Sequence, residues 1–462
     1  CLRKLGRNAK AVQTLEALLT IDRLDHWALA ELALQQQGSA RLSPLSRNDA
    51  QMALDVAFDY ADCGCLAEAA AILENHHANE VQSVAVPNPL ERSASTRYAL
   101  AWLQSLLGDR EKSKESLRAA RALPPDYFCP SRLHEVAILQ WALAQAGPDR
   151  NAAYGLGNFL YDKKRHLDAI AAWEKARTAD GAFATAHRNL GIAYWNSRRD
   201  AAAARASYEK ALSIDPTDSR LVSEFDQLRA KLGDSAADRL AFLEGHRALV
   251  LERDDATVEL AVLYNETGQP QKALDLLTSR SFHPWEGGEG KVLRQYTTAR
   301  LLLGQAALTS GDAACALEHF NLAMKTPDRL GEKYHLLQAK ADVTFWQGKA
   351  LRALGGEKES ITKFEAAAAE SGDFQGMAVT AYSELTVFKA LALRELGREA
   401  EARAVLEAMV AHAVAESKIP ARIDYFATSL PNLLVFEEDI QESKKSQMRH
   451  LQQLANQNLN PR

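Results

Sequence analysis

The densest group of chemically capable side chains lies between Ser279 and Gly290, where the chain reads Ser-Arg-Ser-Phe-His-Pro-Trp-Glu-Gly-Gly-Glu-Gly. His283, Glu286 and Glu289 put an imidazole and two carboxylates on one segment, a set that can divide proton donation and acceptance when the environments differ. Pro284 and three glycines within seven residues exclude a helix, so this segment is a loop. Its glycines do not make a phosphate cradle, because Glu286 and Glu289 would repel the anion and no Lys-Ser/Thr follows. The simpler reading is structural. Phe282, Pro284 and Trp285 plug a gap between helices, the glycines permit a tight turn, and the glutamates are solvated.

Other chemistry is sparse. His76-His77 would offer two imidazoles to a metal, yet no third ligand is spaced for it and an exposed loop is the default. The five cysteines, at 1, 63, 65, 129 and 315, form no Cys-x-x-Cys pair, so neither a disulfide framework nor a zinc site is indicated and a reducing, cytoplasmic setting fits best. Cys63-Gly64-Cys65 marks a turn, with a small buried apolar role for at least one thiol favoured over redox work. Walker, His-Glu-x-x-His, Gly-x-Ser-x-Gly and dinucleotide fingerprints are missing, which argues against an enzyme and against a bound cofactor or metal. With 55 Lys+Arg against 60 Asp+Glu the net charge is −5, which leaves no electrostatic drive toward nucleic acid. No apolar run approaches the roughly 20 residues that cross a bilayer, so no membrane partner is expected.

The elements that position these residues are helices. Gly and Pro number only 24 and 14, and Ala, Leu, Glu and Arg recur throughout. The chain also repeats with a period near 34 residues. In one copy Ala153, Leu156, Gly157 and Leu160 precede Ala169, Trp173 and Ala176, with Gly181 at the closing turn. In the next, His187, Leu190, Gly191 and Tyr194 precede Ala204, Tyr208, Ala211 and Pro216, with one extra residue in the inter-helix loop. Weaker copies surround Gly6, Gly64, Gly108, Gly268, Gly311, Gly355 and Gly397. Ser219 to Leu232 and Ala236 to Leu251 read as degenerate hairpins. This pattern resembles the tetratricopeptide family, and the resemblance implies an all-α fold, a tetratricopeptide-like α-α superhelix of about ten helical hairpins. Residues 1–436 are expected to form the array, and 437–462 a polar capping helix and tail, with the last helix near Glu437 to Gln457.

The resemblance also implies that the first helix of each hairpin faces a concave groove. On that reading Tyr154, Asn158, Tyr161 and Asp162, then Arg188, Asn189, Trp195 and Asn196, form a recognition surface for a protein or peptide ligand, since rings supply area and Asn and Arg supply directed hydrogen bonds. The alternative is that Tyr161 or Trp195 covers the neighbouring hairpin. The family's carboxylate clamp is matched at Asn158, Asn189 and Arg220. It fails where Tyr154 replaces a lysine and Glu224 replaces a basic residue, which would oppose a ligand carboxylate. Charged pairs at Asp109-Arg110 to Lys114 and at Asp238-Arg239 read as solvated faces, and Arg253-Asp254-Asp255 as a helix start with an acidic cap.

Asp126 to Arg132, His187 to Tyr194, Phe282 to Gly290, Leu330-Gly-Glu332 and Ile423 to Pro431 together resemble the C-terminal region of a bacterial family of unknown function. Members of that family carry a β-rich domain, associated with carbohydrate, ahead of the repeats. The resemblance implies that Cys1 is a cut edge, and Leu2 to Gly6, which reads as a helix end with a glycine stop, agrees; a lipidated first cysteine is the other reading. It also makes the protein's own N-terminal domain a candidate partner. Finally, it leaves open an alternative in which the repeats support a carbohydrate site through His283, Trp285 and Glu286. Asn75 to Ser95 and Ile419 to Phe436 break the period and are expected to be irregular connections.

Overall fold

The computed structural model describes residues 1–460 except 39–41, 43, 44, 46, 81–92, 126, 127, 286, 376, 377 and 423–434. The expectations placed on Glu286, on 81–92, on 126–127 and on Ile423 to Pro431 therefore lie outside the described residues. The chain divides into two units, Cys1–Asp215 and Pro216–Arg462.

The first unit is built from α1 (Asn8–Ile21) with α2 (His26–Gln37), α3 (Ala50–Asp62) with α4 (Leu66–Glu80), and α5 (Ala94–Leu106) with α6 (Arg110–Ala122). A single helix α7 (Leu133–Leu143) follows, then α8 (Arg150–Asp162) with α9 (His166–Ala179) and α10 (Ala184–Ala193) with α11 (Ala201–Ile214). The second unit holds α12 (Ser219–Lys231), α13 (Ala236–Gly245), α14 (Arg247–Val250), α15 (Asp254–Glu266) with α16 (Pro270–Ser279), and α17 (Lys291–Thr309) with α18 (Ala313–Ala323). It continues with α19 (Ala341–Ala353) and α20 (Glu357–Ala369), α21 (Thr386–Glu395) and α22 (Glu399–Glu416), and ends with α23 (Ile440–Leu459). The fold is all-α and tetratricopeptide-like, except for one short antiparallel pair, β1 (Asp373–Gln375) and β2 (Ala378–Thr380), which the helical periodicity did not signal. Nor did the period place α7.

Four hairpins, α8–α9, α10–α11, α17–α18 and α19–α20, close where a glycine of the first helix meets a ring of the second. A Cβ added to Gly157 would stand 2.4 Å from the Trp173 indole, and one added to Gly304 or Gly348 would stand 2.3 Å from Phe320 or 2.6 Å from Phe364. Such contacts let two backbones approach to close packing, with Ala169, Ala176, Ala316, Ala323 and Ala367 filling the rest of the seam at no more than 0% exposure. In these three hairpins the glycine and the ring are 16 residues apart, whereas Gly191 and Tyr208 are 17 apart. The additional residue was expected in the loop. It resides instead in a π-helical turn, Tyr194–Arg198, at the end of α10, where an i→i+5 ring absorbs one residue inside the helix.

The inter-helix turns need a left-handed residue. Gly268 and Gly311 supply it with φ of 74° and 89°. The two hairpins with the clearest repeat pattern lack that glycine, and Lys164 (φ 61°) and Arg199 (φ 53°) take the same conformation.

Four expectations are corrected. His76 and His77 are not in an exposed loop: α4 runs on to Glu80, and both rings fall one turn beyond Ile72 and Leu73 on the same inward face, at 1% and 6% exposure. Arg239 is not on a solvated face, because the buried Asp226 carboxylate of α12 turns its guanidinium inward, with Nη2 2.6 Å from Asp226 Oδ2 and 2.5 Å from Glu259 Oε1. Neither Cys63 nor Cys65 is buried; the two flank the turn glycine, so their side chains leave the helix seam. The final helix begins at Ile440, three residues later than expected, because the Asp439 side chain caps it by accepting from Gln441 N and Glu442 N.

Candidate functional site

The residues expected to form a recognition face lie on α8, α10 and the π-turn of the first unit, and the structure joins Asn158, Asn189 and Arg188 in one hydrogen-bonded seam. Asn158 Nδ2 donates to Phe128 O at 3.0 Å. Its Oδ1 accepts from Trp173 Nε1 at 3.1 Å and from Asn189 Nδ2 at 3.3 Å. Asn189 Oδ1 in turn accepts from Arg188 Nη1 at 3.1 Å. Asn158 is thus the node between α8, α9 and α10, and Asn189 is itself buried.

Tyr154 is also buried. Its ring meets Phe183 edge-on with centroids 4.9 Å apart, and burial pushes its phenol up from the ordinary value. Half-exposed side chains remain at Tyr161, Arg188 and Trp195. Tyr161 lies over His166 and beside Trp173, with centroids 4.7 and 5.2 Å away, and its hydroxyl accepts from Asn196 Nδ2 at 3.4 Å. Trp195 keeps a half-exposed ring, but its indole N–H is buried with no acceptor among the described residues. Arg220, in the second unit, is exposed and donates from Nε to Glu224 Oε1 at 3.0 Å, so the acid at the mismatched clamp position is neutralised by its own neighbour.

The 279–290 loop is fastened along its length. Arg280 pairs with Asp254, which also accepts from the His283 backbone N–H at 2.9 Å. Phe282 is buried, its N–H donating to Arg329 O at 2.8 Å. The ring of Trp285 lies so close over Gly288 that a Cβ there would be 2.1 Å from it. Glu332 completes the fastening: its two carboxylate oxygens accept from Gly290 N and Leu293 N, each at 2.6 Å, and so cap α17. The Phe282–Gly290 and Leu330–Glu332 segments, far apart in sequence, thus make one assembly. His283 itself is 86% exposed on its side chain, and Glu289 is exposed. The loop packs as the structural reading expected at Phe282, whereas Pro284 is exposed and plugs nothing. Asp254 stands in the first turn of α15 as expected, but its side chain is spent on the loop and not on capping.

Sequence reasoning missed a cleft of about 480 Å³ in the second unit, between the end of α20, the β-pair, α21 and α22. Glu370, Tyr382, Ser383, Thr386 and Lys389 supply its polar lining. Lys389 Nζ donates to Glu370 O at 2.7 Å, and the Glu370 carboxylate accepts the Lys340 N–H at 2.9 Å. Beside the lining residue Ala341, burial, with the nearby Glu370 charge, pushes the Asp342 carboxyl up to about 6. No motif announces this set: Glu370 follows α20, Tyr382 and Ser383 precede α21, and Thr386 and Lys389 lie on its first turn. Among the described residues no group of three His, Cys, Asp or Glu is placed to hold a metal ion, and no helix is long and apolar enough to cross a membrane.

The tetratricopeptide repeat family model matches residues 184–218, the α10–α11 hairpin with its π-turn. Among solved structures the chain is similar to YrrB, described as a tetratricopeptide protein with an unusual peptide-binding site, at 16% identity over 49% of this chain and 97% of that one, with a TM-score of 0.31. It is also similar to a tetratricopeptide repeat protein from Parabacteroides merdae at 15% identity, 65% and 98% coverage and a TM-score of 0.27. A third similarity is to the Cut9–Hcn1 hetero-tetramer at 14% identity, 88% and 91% coverage and a TM-score of 0.29.

Proposed function

We propose that the chain is a non-catalytic scaffold that holds an extended polypeptide on the α8–α10 face of its first unit. The observation that carries this reading is the Asn158–Asn189 pair, which stiffens the face from beneath while Tyr161, Arg188 and Trp195 stay half-exposed above it. A rigid aromatic and cationic surface loses little side-chain freedom on binding, and Arg188 favours a ligand with acidic or carbonyl acceptors. The polypeptide can belong to another protein or to a further segment of the same one.

The test is selection from a peptide library displayed on phage, with selected peptides measured against wild type, Arg188→Glu and Tyr161→Ala. Each variant is expected to weaken binding about tenfold or more, equivalent to roughly 1.4 kcal/mol. Thermal melting of Arg188→Glu should stay near wild type. Unchanged affinity in both variants would remove the α8–α10 face from this role. Asn189→Ala is unsuitable as the probe, because the amide is buried and its loss would disturb the seam itself.

A further inference from the structure

Cys63 and Cys65 stand on either side of the glycine that closes the α3–α4 turn. Cys63 ends α3 with φ −79°, Gly64 takes φ 73°, and the Cys65 N–H donates to Tyr60 O at 2.8 Å as the chain enters α4. The seam between these helices is filled by Ala57, Tyr60, Ala69 and Leu73, each no more than 2% exposed, so it does not need either thiol. Cys63 is exposed and Cys65 half-buried, and Cys65 Sγ lies 3.8 Å from Cys63 O. The second side chain therefore folds back across the turn toward the first residue. Successive Cα atoms are about 3.8 Å apart, and a bend at a left-handed glycine brings residues i and i+2 within the roughly 4.4–6.8 Å that disulfides span.

We propose that Cys63 and Cys65 form a redox-active dithiol that closes to an intra-turn disulfide by exchange with a small disulfide of the glutathione class. The more exposed Cys63 reacts first. Its thiolate attacks one sulfur of the donor, the donor S–S bond breaks, and one donor thiolate leaves while a mixed disulfide forms. The Cys65 thiolate then attacks Cys63 Sγ, breaking the mixed bond and releasing the second donor thiolate. The protein loses two electrons and two protons, and the donor gains both to become two thiols. Because the ring joins neighbours on one turn, closure needs side-chain rotation and no helix movement. Short exposed rings of this kind belong to the labile, readily reduced class of disulfides.

The experiment equilibrates the whole chain in mixtures of reduced and oxidised glutathione, quenches with acid, alkylates free thiols and maps the peptides by mass spectrometry. The expected product is a Cys63–Cys65 peptide lighter by two hydrogens, displacing the glutathione adduct as the oxidised fraction rises. Cys65→Ser should stop at a stable glutathione adduct on Cys63, with helicity by circular dichroism unchanged. The proposal is overturned if both thiols remain alkylatable across the range, if both carry glutathione, or if either pairs with Cys1, Cys129 or Cys315.

Discussion

Tyr208 rests on Gly191 so closely that a Cβ added to the glycine would stand 2.6 Å from the ring, even though this hairpin carries one residue more between the two than its neighbours do. The contact and not the spacing is what the repeat preserves. Gly191→Ala should therefore overpack the α10–α11 seam and cost about 1–3 kcal/mol, read as a lowered thermal midpoint. A wild-type midpoint would show that the seam yields freely and that the glycine is not required there.

Lys164 offers the opposite sign. It holds φ 61° at a position where other hairpins place glycine, and it is exposed. Lys164→Gly should relieve that backbone and stabilise the chain by roughly 0.5–1 kcal/mol, the left-handed penalty less the extra freedom glycine gives the unfolded state. Urea titration of the pair of proteins checks it.

His77 predicts a dependence on acid. Burial, reinforced by the nearby Arg97 and His76, pushes its imidazole down to about 2, against 6.5 for an ordinary histidine. The folded state thus refuses a proton that the unfolded chain accepts, so stability is full above pH 6.5 and declines as pH falls from there toward 2. Between pH 7 and pH 5 the loss from this ring is about 2 kcal/mol. His77→Gln, which can still meet Thr96 Oγ1, now 3.0 Å from His77 Nε2, should flatten that part of the pH profile in chemical denaturation.

The Arg239, Asp226 and Glu259 cluster predicts a non-additive response. Burial pushes the Asp226 carboxyl up despite its pairing with Arg239. Arg239→Met leaves that carboxylate without its bidentate donor and should cost about 3–5 kcal/mol, while Arg239→Met with Asp226→Leu should recover most of the loss. Equal destabilisation by the single and double variants would contradict the account.

Most of the helical layout was legible because the repeat signature is a packing code. Gly157 with Trp173 and Gly191 with Tyr208 can be read as pairs from spacing alone, and the structure places each pair in contact. Single residues were legible only where local chemistry decides them, as with the glycines and proline that exclude a helix at 279–290. The inward turn of Arg239 was not, since its partners Asp226 and Glu259 come from other helices. The buried setting of His76 and His77 was missed because a helix that continues past its apolar stripe carries no signal beyond two polar letters. The candidate face was half legible: Asn158 and Asn189 were named from register, but their bonding to each other and to Trp173 depends on the distance between hairpins. The β-pair and the Glu370–Lys389 cleft had no precursor in the periodicity.

The π-turn at Tyr194–Arg198 separates two things that a plain repeat keeps locked together. A residue added inside a helix swings everything after it by about 100° around the axis, yet here Gly191 and Tyr208 still meet. The insertion therefore leaves the closure of the hairpin untouched: the π-turn takes up the added residue before α11 begins, and α11 still brings Tyr208 onto Gly191. Closure and local helix register are thus set by different residues of the same hairpin, the first by Gly191 and Tyr208 and the second by Tyr194–Arg198.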